Sequence, residues 1–120
     1  MSGLTEEQKK IFINEYNNIA TQIKKVADDK GWIMKNDHQS VVEKIALIIC
    51  ELCEAIEWLR IGNPKSDHIK EFSGLEEELA DAIIRIMGLG KRLNINVAEA
   101  LIEKIKFNKQ REFKHGNKLF

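Results

Sequence analysis

Two pairs of acids stand out in this chain: Glu51-Leu-Cys-Glu54 and Glu78-Leu-Ala-Asp81. Residues three apart on a helix share one side, so each pair presents two carboxylates together. Drawn into one place, four carboxylates repel. Two unit charges roughly 5 Å apart cost about 3 kcal/mol at an effective dielectric of 20. Such a group either takes up protons or holds a divalent cation. An all-oxygen donor set suits Mg²⁺, Mn²⁺ or Ca²⁺ better than zinc or copper. Di-iron carboxylate bundles use Glu-x-x-His on two helices, a spacing neither pair has. The only histidines are His38, His68 and His115, so iron is disfavoured.

The C-terminal end has the opposite charge. Residues 51–81 carry nine acids and three bases, whereas 104–120 carry six bases and one acid. Lys104, Asn108 and Arg111 are spaced i, i+4, i+7 and so share one side of a helix. An ammonium, an amide and a guanidinium in a row suit a phosphate chain, with a point charge, hydrogen bonds and a bidentate fork. Val97 and Leu101 fall on the same side, so this row is expected to face the interior. Lys114, His115, Gly116 and Lys118 add donors on a tail that could close over an anion. Acids that hold a divalent metal, with cations nearby, are the combination for polyphosphate chemistry. No P-loop is present to support a P-loop kinase or ATPase.

Four helices are expected to position these groups. Thr5 with Gln8 is a capping-box pattern and opens an apolar series, Ile11, Phe12, Tyr16, Ile19, Ile23, Val26, giving a helix over about 5–29. Asp37 is the expected N-cap of a second helix, about 38–60, which stops at Gly62-Asn63-Pro64. A polar connection follows, with room for one short helical turn. Ser73 with Glu76 caps a third helix, about 74–93, and Asn96 with Glu99 a fourth, about 97–111. Residues 112–120 form a basic tail. The fold class is all-α, a four-helix bundle in a single domain over 1–120.

In the second helix the main apolar arc is Val41, Ile45, Ile48, Ile49, Leu52, Ile56 and Leu59. Glu51 and Glu54 fall on another stripe, bracketed by Leu47 and Trp58, so the acids are expected to sit partly inside. In the third helix Leu75, Leu79, Ala82, Ile83, Ile86 and Leu93 set the expected core arc, with Glu78, Asp81 and Arg85 at its edge. The short connection makes the two helices an antiparallel hairpin, which can bring the acidic pairs opposite each other.

Composition bounds the classes of function. The chain has 120 residues, 19 Lys+Arg and 19 Asp+Glu, and a formal net charge of zero. Zero net charge argues against a general nucleic-acid or membrane binder. The longest strictly apolar stretch, Ile45 to Cys50, is far short of the roughly 20 residues a membrane span needs. No secretory signal is visible, so the expected setting is cytoplasmic. Two cysteines, Cys50 and Cys53, do not make a disulfide scaffold. They form a lone C-x-x-C without the further ligands zinc requires, and read as reduced, packed thiols. Glu57, Glu76 and Glu77 read as solvated, with Glu77 or Glu57 alternatively an acid that supports the site from behind its ligands, and Glu57 a candidate to position an attacking water. Arg85 is placed either to neutralise Asp81 four residues back or to touch a substrate.

The segments ELCEAIEW, EEELADAIIRI and KIKFNKQREFKHGNK resemble the MazG-like nucleotide pyrophosphohydrolases of the all-α NTP pyrophosphatase superfamily. The resemblance covers about residues 38–118. It implies Mg²⁺-dependent hydrolysis of a nucleoside triphosphate to the monophosphate and pyrophosphate. By motif it implies Glu51, Glu54, Glu78 and Asp81 as metal ligands and catalytic acids, and Lys104, Asn108 and Arg111 as phosphate contacts. Mn²⁺ is an alternative cofactor. It also implies a homodimer or a dimer of dimers, and a role in clearing non-canonical nucleotides. Variants of the first motif carry another acid before Glu51, where this chain has Cys50. Related sequences often have Pro after the tail arginine, where this chain has Glu112. Trp58, one turn beyond Glu54, is a candidate to stack on a base and equally a candidate core or dimer-interface tryptophan. Trp32, Asn36, Asp37 and His38 are weaker candidates for the base. Two readings stand beside the main one: a non-catalytic helical homodimeric interaction module, and a related pyrophosphatase acting on another phosphoribosyl or nucleotide substrate.

Overall fold

Three of the four caps expected from local sequence are formed. In the computed structural model, which describes residues 3–32, 34–35 and 37–111, four helices follow one another: α1 (Glu6–Asp29), α2 (His38–Arg60), α3 (Gly74–Leu93) and α4 (Val97–Lys109). Thr5 and Gln8 exchange hydrogen bonds across the first turn of α1, at 2.9 and 3.1 Å. Asp37 accepts from the Ser40 N–H at 2.8 Å. Ser73 and Glu76 complete a reciprocal capping box on α3. Asn96 occupies the N-cap of α4 but makes no side-chain capping bond. Past α3 the chain turns on Asn94 in the left-handed region, which asparagine tolerates better than most residues. Among the described residues the fold is all-α, without strands.

The chain clusters into two compact units: Ala20–Ile95, and a second containing the start of α1 together with α4. In the larger unit α2 and α3 pack along each other. Trp58 bonds to Glu78 and Glu51 to Arg85. Each pair's residue numbers add to 136, the mark of an antiparallel hairpin. In that register Ala55, on α2, lies level with the Ala82 stretch of α3, and both alanines are buried. Small residues at this level let the helices approach closely. The last turns of α1 are tied to the end of α3. The Arg92 guanidinium reaches Asp28 at 2.6 Å and the Trp32 carbonyl at 3.1 Å.

The connection from α2 to α3 contains no helical turn. It is closed by a bridge between Lys65 and Ser73 and by the Ser66 N–H donating to the Phe72 carbonyl at 2.8 Å. Ser66 is buried. Its hydroxyl accepts from the backbone N–H of His68 and Ile69 and bonds to the Glu77 carboxylate. His68 bonds the other Glu77 oxygen at 2.7 Å. Glu77 is therefore not solvated: this loop covers it, and Ser66 and His68 hold its carboxyl below the usual range.

Of the expected core arcs Ala82 is buried and Val41, Ile48, Leu75 and Leu93 are half-buried, but most of the large aliphatics are not. Ile45, Ile49, Leu52, Ile56 and Leu59 on α2, with Leu79, Ile83 and Ile86 on α3, are all exposed. The side of α2 that meets α3 instead carries Glu51, Ala55 and Trp58. Because α2 is apolar on two sides, composition could not say which side the hairpin would use. The thiols of Cys50 and Cys53 follow from the same choice: both are free and exposed, not packed.

Candidate metal centre

The hairpin register sets Glu51 and Glu54 of α2 against Glu78 of α3. One carboxylate oxygen from each of the three lies within 4.8 Å of the other two. Glu51 and Glu78 are 9% and 8% exposed, whereas Glu54 is open to solvent. The trio is thus walled on two sides and open on the third. It is three acids of the expected four. Asp81, one turn along α3, stands outside the tight trio and half-buried. It remains coupled to the trio, sharing a hydrogen bond with Glu78 and feeling the charge of Glu51.

The electrostatics are those of acids lacking a sufficient counter-charge. Burial pushes the Glu78 carboxyl up to about 7, with the indole of Trp58 working against that rise and the carboxyl's hydrogen bond with Glu51 adding to it. Glu54 is raised by its hydrogen bond to Glu51 and then by burial. Asp81 is raised by burial and by the charges of Glu51 and Glu77. Glu51 moves the other way. Burial works to raise it, but the Arg85 guanidinium and the bonds it accepts from Glu54 and Glu78 bring it below its ordinary value. Arg85 Nε donates to Glu51 Oε1 at 2.9 Å. Its hydrogen-bonded partner is therefore Glu51 across the hairpin, not Asp81 four residues back. The spacing within α3 could not show this, because the contact depends on the register of two helices.

Trp58 is engaged with the same acids. Its indole N–H donates to Glu78 Oε2 at 3.0 Å. Glu57 faces outward and pairs with Arg60 at 2.9 Å. Asp37 serves as the α2 cap, His38 is exposed beside it, and Trp32 is exposed.

The cationic row is on α4, in the other unit. Lys104, Asn108, Arg111 and Leu101 are exposed, and the buried residues of α4 are Ala98 and Ile102. The row does not face an interior, contrary to the expectation drawn from Val97 and Leu101. The Lys104 ammonium lies 4.6 Å from the centre of the Phe107 ring, a cation–π contact. Asn36 and the tail, with Lys114, His115, Gly116 and Lys118, lie outside the described residues.

A helical hairpin presenting three clustered carboxylates defines a candidate divalent-cation site. The chain is 26% identical over 87 residues to dCTP pyrophosphatase 1 of Rattus norvegicus and to its counterpart in Mus musculus. The match takes in 71% of this chain, which spans about half the length of those relatives (51%). No family profile and no solved structure matches it. The chain is thus a distant relative of a nucleotide pyrophosphatase. No helix among the described residues is long and apolar enough to cross a membrane.

Proposed function

We propose that the chain is a divalent-metal-dependent nucleoside triphosphate pyrophosphohydrolase, converting a (d)NTP and water to the (d)NMP and pyrophosphate. The observation that carries this reading is the trio Glu51, Glu54 and Glu78, two of them buried, in a relative of a pyrophosphatase. The donors fit a hard cation: all are carboxylate oxygens, and buried acids that must otherwise keep protons are relieved by a positive charge. A bound Mg²⁺ or Mn²⁺ would supply Lewis-acid charge for phosphate oxygens.

On this reading Glu51, Glu54 and Glu78 hold the ion. Asp81, beside Glu78, is the fourth ligand or takes a proton from the attacking water. Arg85 keeps Glu51 ionised until the ion arrives. Lys104, Asn108 and Arg111 bind the phosphate chain, and Trp58 is the candidate base contact. We read residues 1–120 as one catalytic domain. The two free cysteines accord with a reducing, cytoplasmic setting. Self-association as a dimer or dimer of dimers is supported by the exposed apolar stripes of α2 and α3, since contiguous exposed aliphatics mark contact surfaces. The same stripes favour the second reading, a non-catalytic interaction module.

The deciding experiment is pyrophosphate release from a panel of ribo- and deoxyribonucleoside triphosphates, dCTP first, with Mg²⁺ or with EDTA. Mg²⁺-dependent release with matching monophosphate is expected. A folded chain that is inactive on every triphosphate and indifferent to Mg²⁺ refutes the enzyme reading in favour of the interaction module. Activity confined to another pyrophosphate-linked nucleotide would shift the substrate and leave the metal centre in place.

A further inference from the structure

Beside Arg85, Trp58 also bonds to the acid trio without being an acid. Three features of the α2–α3 connection hold it there. The Trp58 carbonyl accepts from the Asn63 N–H at 2.7 Å, and the Pro64 carbonyl accepts from the Gly74 N–H at 2.9 Å. The Asn63 side chain in turn accepts from the Leu75 N–H at 2.9 Å. Asn63 adopts a left-handed φ of 52° to do so. The loop therefore straps the end of α2 to the start of α3, and Gly74 is brought directly beneath the indole. A Cβ at Gly74 would fall inside the Trp58 ring, against Cγ, Cδ2 and Cε3. The requirement for glycine here is one of space: only a residue without a side chain lets the ring lie on the backbone.

Seated this way, the indole turns its edge to Glu78. Its N–H is a donor only. It cannot compete for a cation, and it fixes one oxygen of the Glu78 carboxyl at 3.0 Å. Groups that hold a metal ligand from behind in this way set its orientation and basicity. We propose that Trp58, resting on Gly74, is a positioning residue for Glu78, fixing the orientation in which that carboxylate meets a divalent cation shared with Glu51 and Glu54. The inference rests on the metal reading of the trio. It gives Trp58 a task on its ring edge that is separate from any contact made by its faces.

The test is Mg²⁺ binding, measured by calorimetry on the parent chain, Trp58→Phe and Gly74→Ala. Phenylalanine keeps an aromatic ring at this position and removes the N–H together with part of the ring volume. Affinity should fall about tenfold, with helicity unchanged by circular dichroism and the metal-free melting temperature close to the parent's. Gly74→Ala should weaken binding at least as much by displacing the ring. If it unfolds the chain, Trp58→Phe decides alone. A spectroscopic reading separates positioning from simple packing. In ¹⁵N-labelled protein the indole N–H resonance of Trp58, assigned with Trp32→Phe, should move during the Mg²⁺ titration with the calorimetric dissociation constant. Parent-like affinity in Trp58→Phe, or an indole resonance that ignores the metal, overturns the positioning role and leaves the metal site standing. A parent chain that binds no Mg²⁺ removes the site, and this inference with it.

Discussion

On one side of the α2–α3 hairpin, Glu51 and Glu78 are buried beside Ala55 and Ala82; about a third of a turn round each helix, Ile49, Ile56 and Ile83 stand more than half exposed. A helix in a water-soluble chain usually arranges these sides the other way. Both sides are costly as they stand. A buried, unpaired carboxylate costs several kcal/mol, which the chain reduces by letting Glu78 keep a proton and by lending Arg85 to Glu51. Each large aliphatic side chain left in water forgoes up to about 1.5–3 kcal/mol. The costs differ in what would remove them. A cation relieves the acidic side, and only another apolar surface relieves the other. On the proposed reading, a hairpin with both features meets two different things.

The first way to break the comparison is to remove a charge from the acidic side. Glu78→Gln keeps shape and hydrogen bonding but deletes an anionic oxygen. Pyrophosphate release should drop by a factor on the order of 10³, about 4 kcal/mol of transition-state stabilisation, with the far-ultraviolet dichroism unchanged. Glu54→Gln, at the solvent-facing corner, should behave similarly. Wild-type turnover in both variants would mean that the trio is not the site.

Next in size is the response to metal. At a hundredfold excess over its dissociation constant, an ion that binds only the folded chain stabilises it by about 2.7 kcal/mol, which raises the melting temperature by roughly 10 °C at this chain length. EDTA should reverse the rise, and Glu78→Gln should abolish it. An unchanged melting curve with and without Mg²⁺ would say that the acids stay protonated or paired with Arg85 alone.

The metal-free chain should also record the burial of Glu78 in its pH dependence. Its carboxyl is raised from an ordinary value of 4.5 to about 7, so between those values the folded state binds more protons than the unfolded one. Stability from this group is full below about 4.5 and is lost as pH rises through 7. The EDTA-treated protein should therefore melt at progressively lower temperature from pH 5 to pH 7.5, and Glu78→Gln should flatten that slope. Glu51 and Glu77, whose carboxyls are lowered, act in the opposite sense but at more acidic pH. A melting temperature that climbs steadily over the same interval in the parent would contradict the burial of Glu78.

What was legible in the sequence divides by range. The caps at Thr5, Asp37 and Ser73 were readable because each is satisfied within three residues of itself. The acidic pairs were readable from spacing within one helix, but their bracketing by Leu47 and Trp58 held for Glu51, which is buried, and not for Glu54, which is exposed. Facts that depend on two helices meeting were not readable. Nothing near Arg85 in sequence points to Glu51, 34 positions away. Nothing in Ser66-Asp67-His68 signals that Glu77 will be covered, and the short polar run after Pro64 hinted only at a loop. The apolar arcs misled because Ile45, Ile49, Leu52 and Ile56 have the spacing of a core stripe. Spacing marks a stripe as able to be buried; it does not say by what.

Two neighbouring residues on α3 carry the smallest and sharpest test of that point. Ala82 is 4% exposed against α2, and Ile83, one residue on, is 56% exposed. Enlarging the alanine with Ala82→Val forces two methyl groups into a closely packed seam and should cost about 1–3 kcal/mol. Cutting the isoleucine down with Ile83→Ser should cost within about 0.5 kcal/mol in the dilute chain. By hydropathy alone the order would be reversed. The comparison becomes stronger if the melts are repeated over a wide range of protein concentration, with sedimentation alongside. If a second copy covers the stripe, Ile83→Ser should lose its tolerance as concentration rises, because the parent gains stability by association and the variant cannot. A penalty for Ile83→Ser that equals that of Ala82→Val at every concentration would place Ile83 inside the chain's own core, and the two sides of the hairpin would no longer differ.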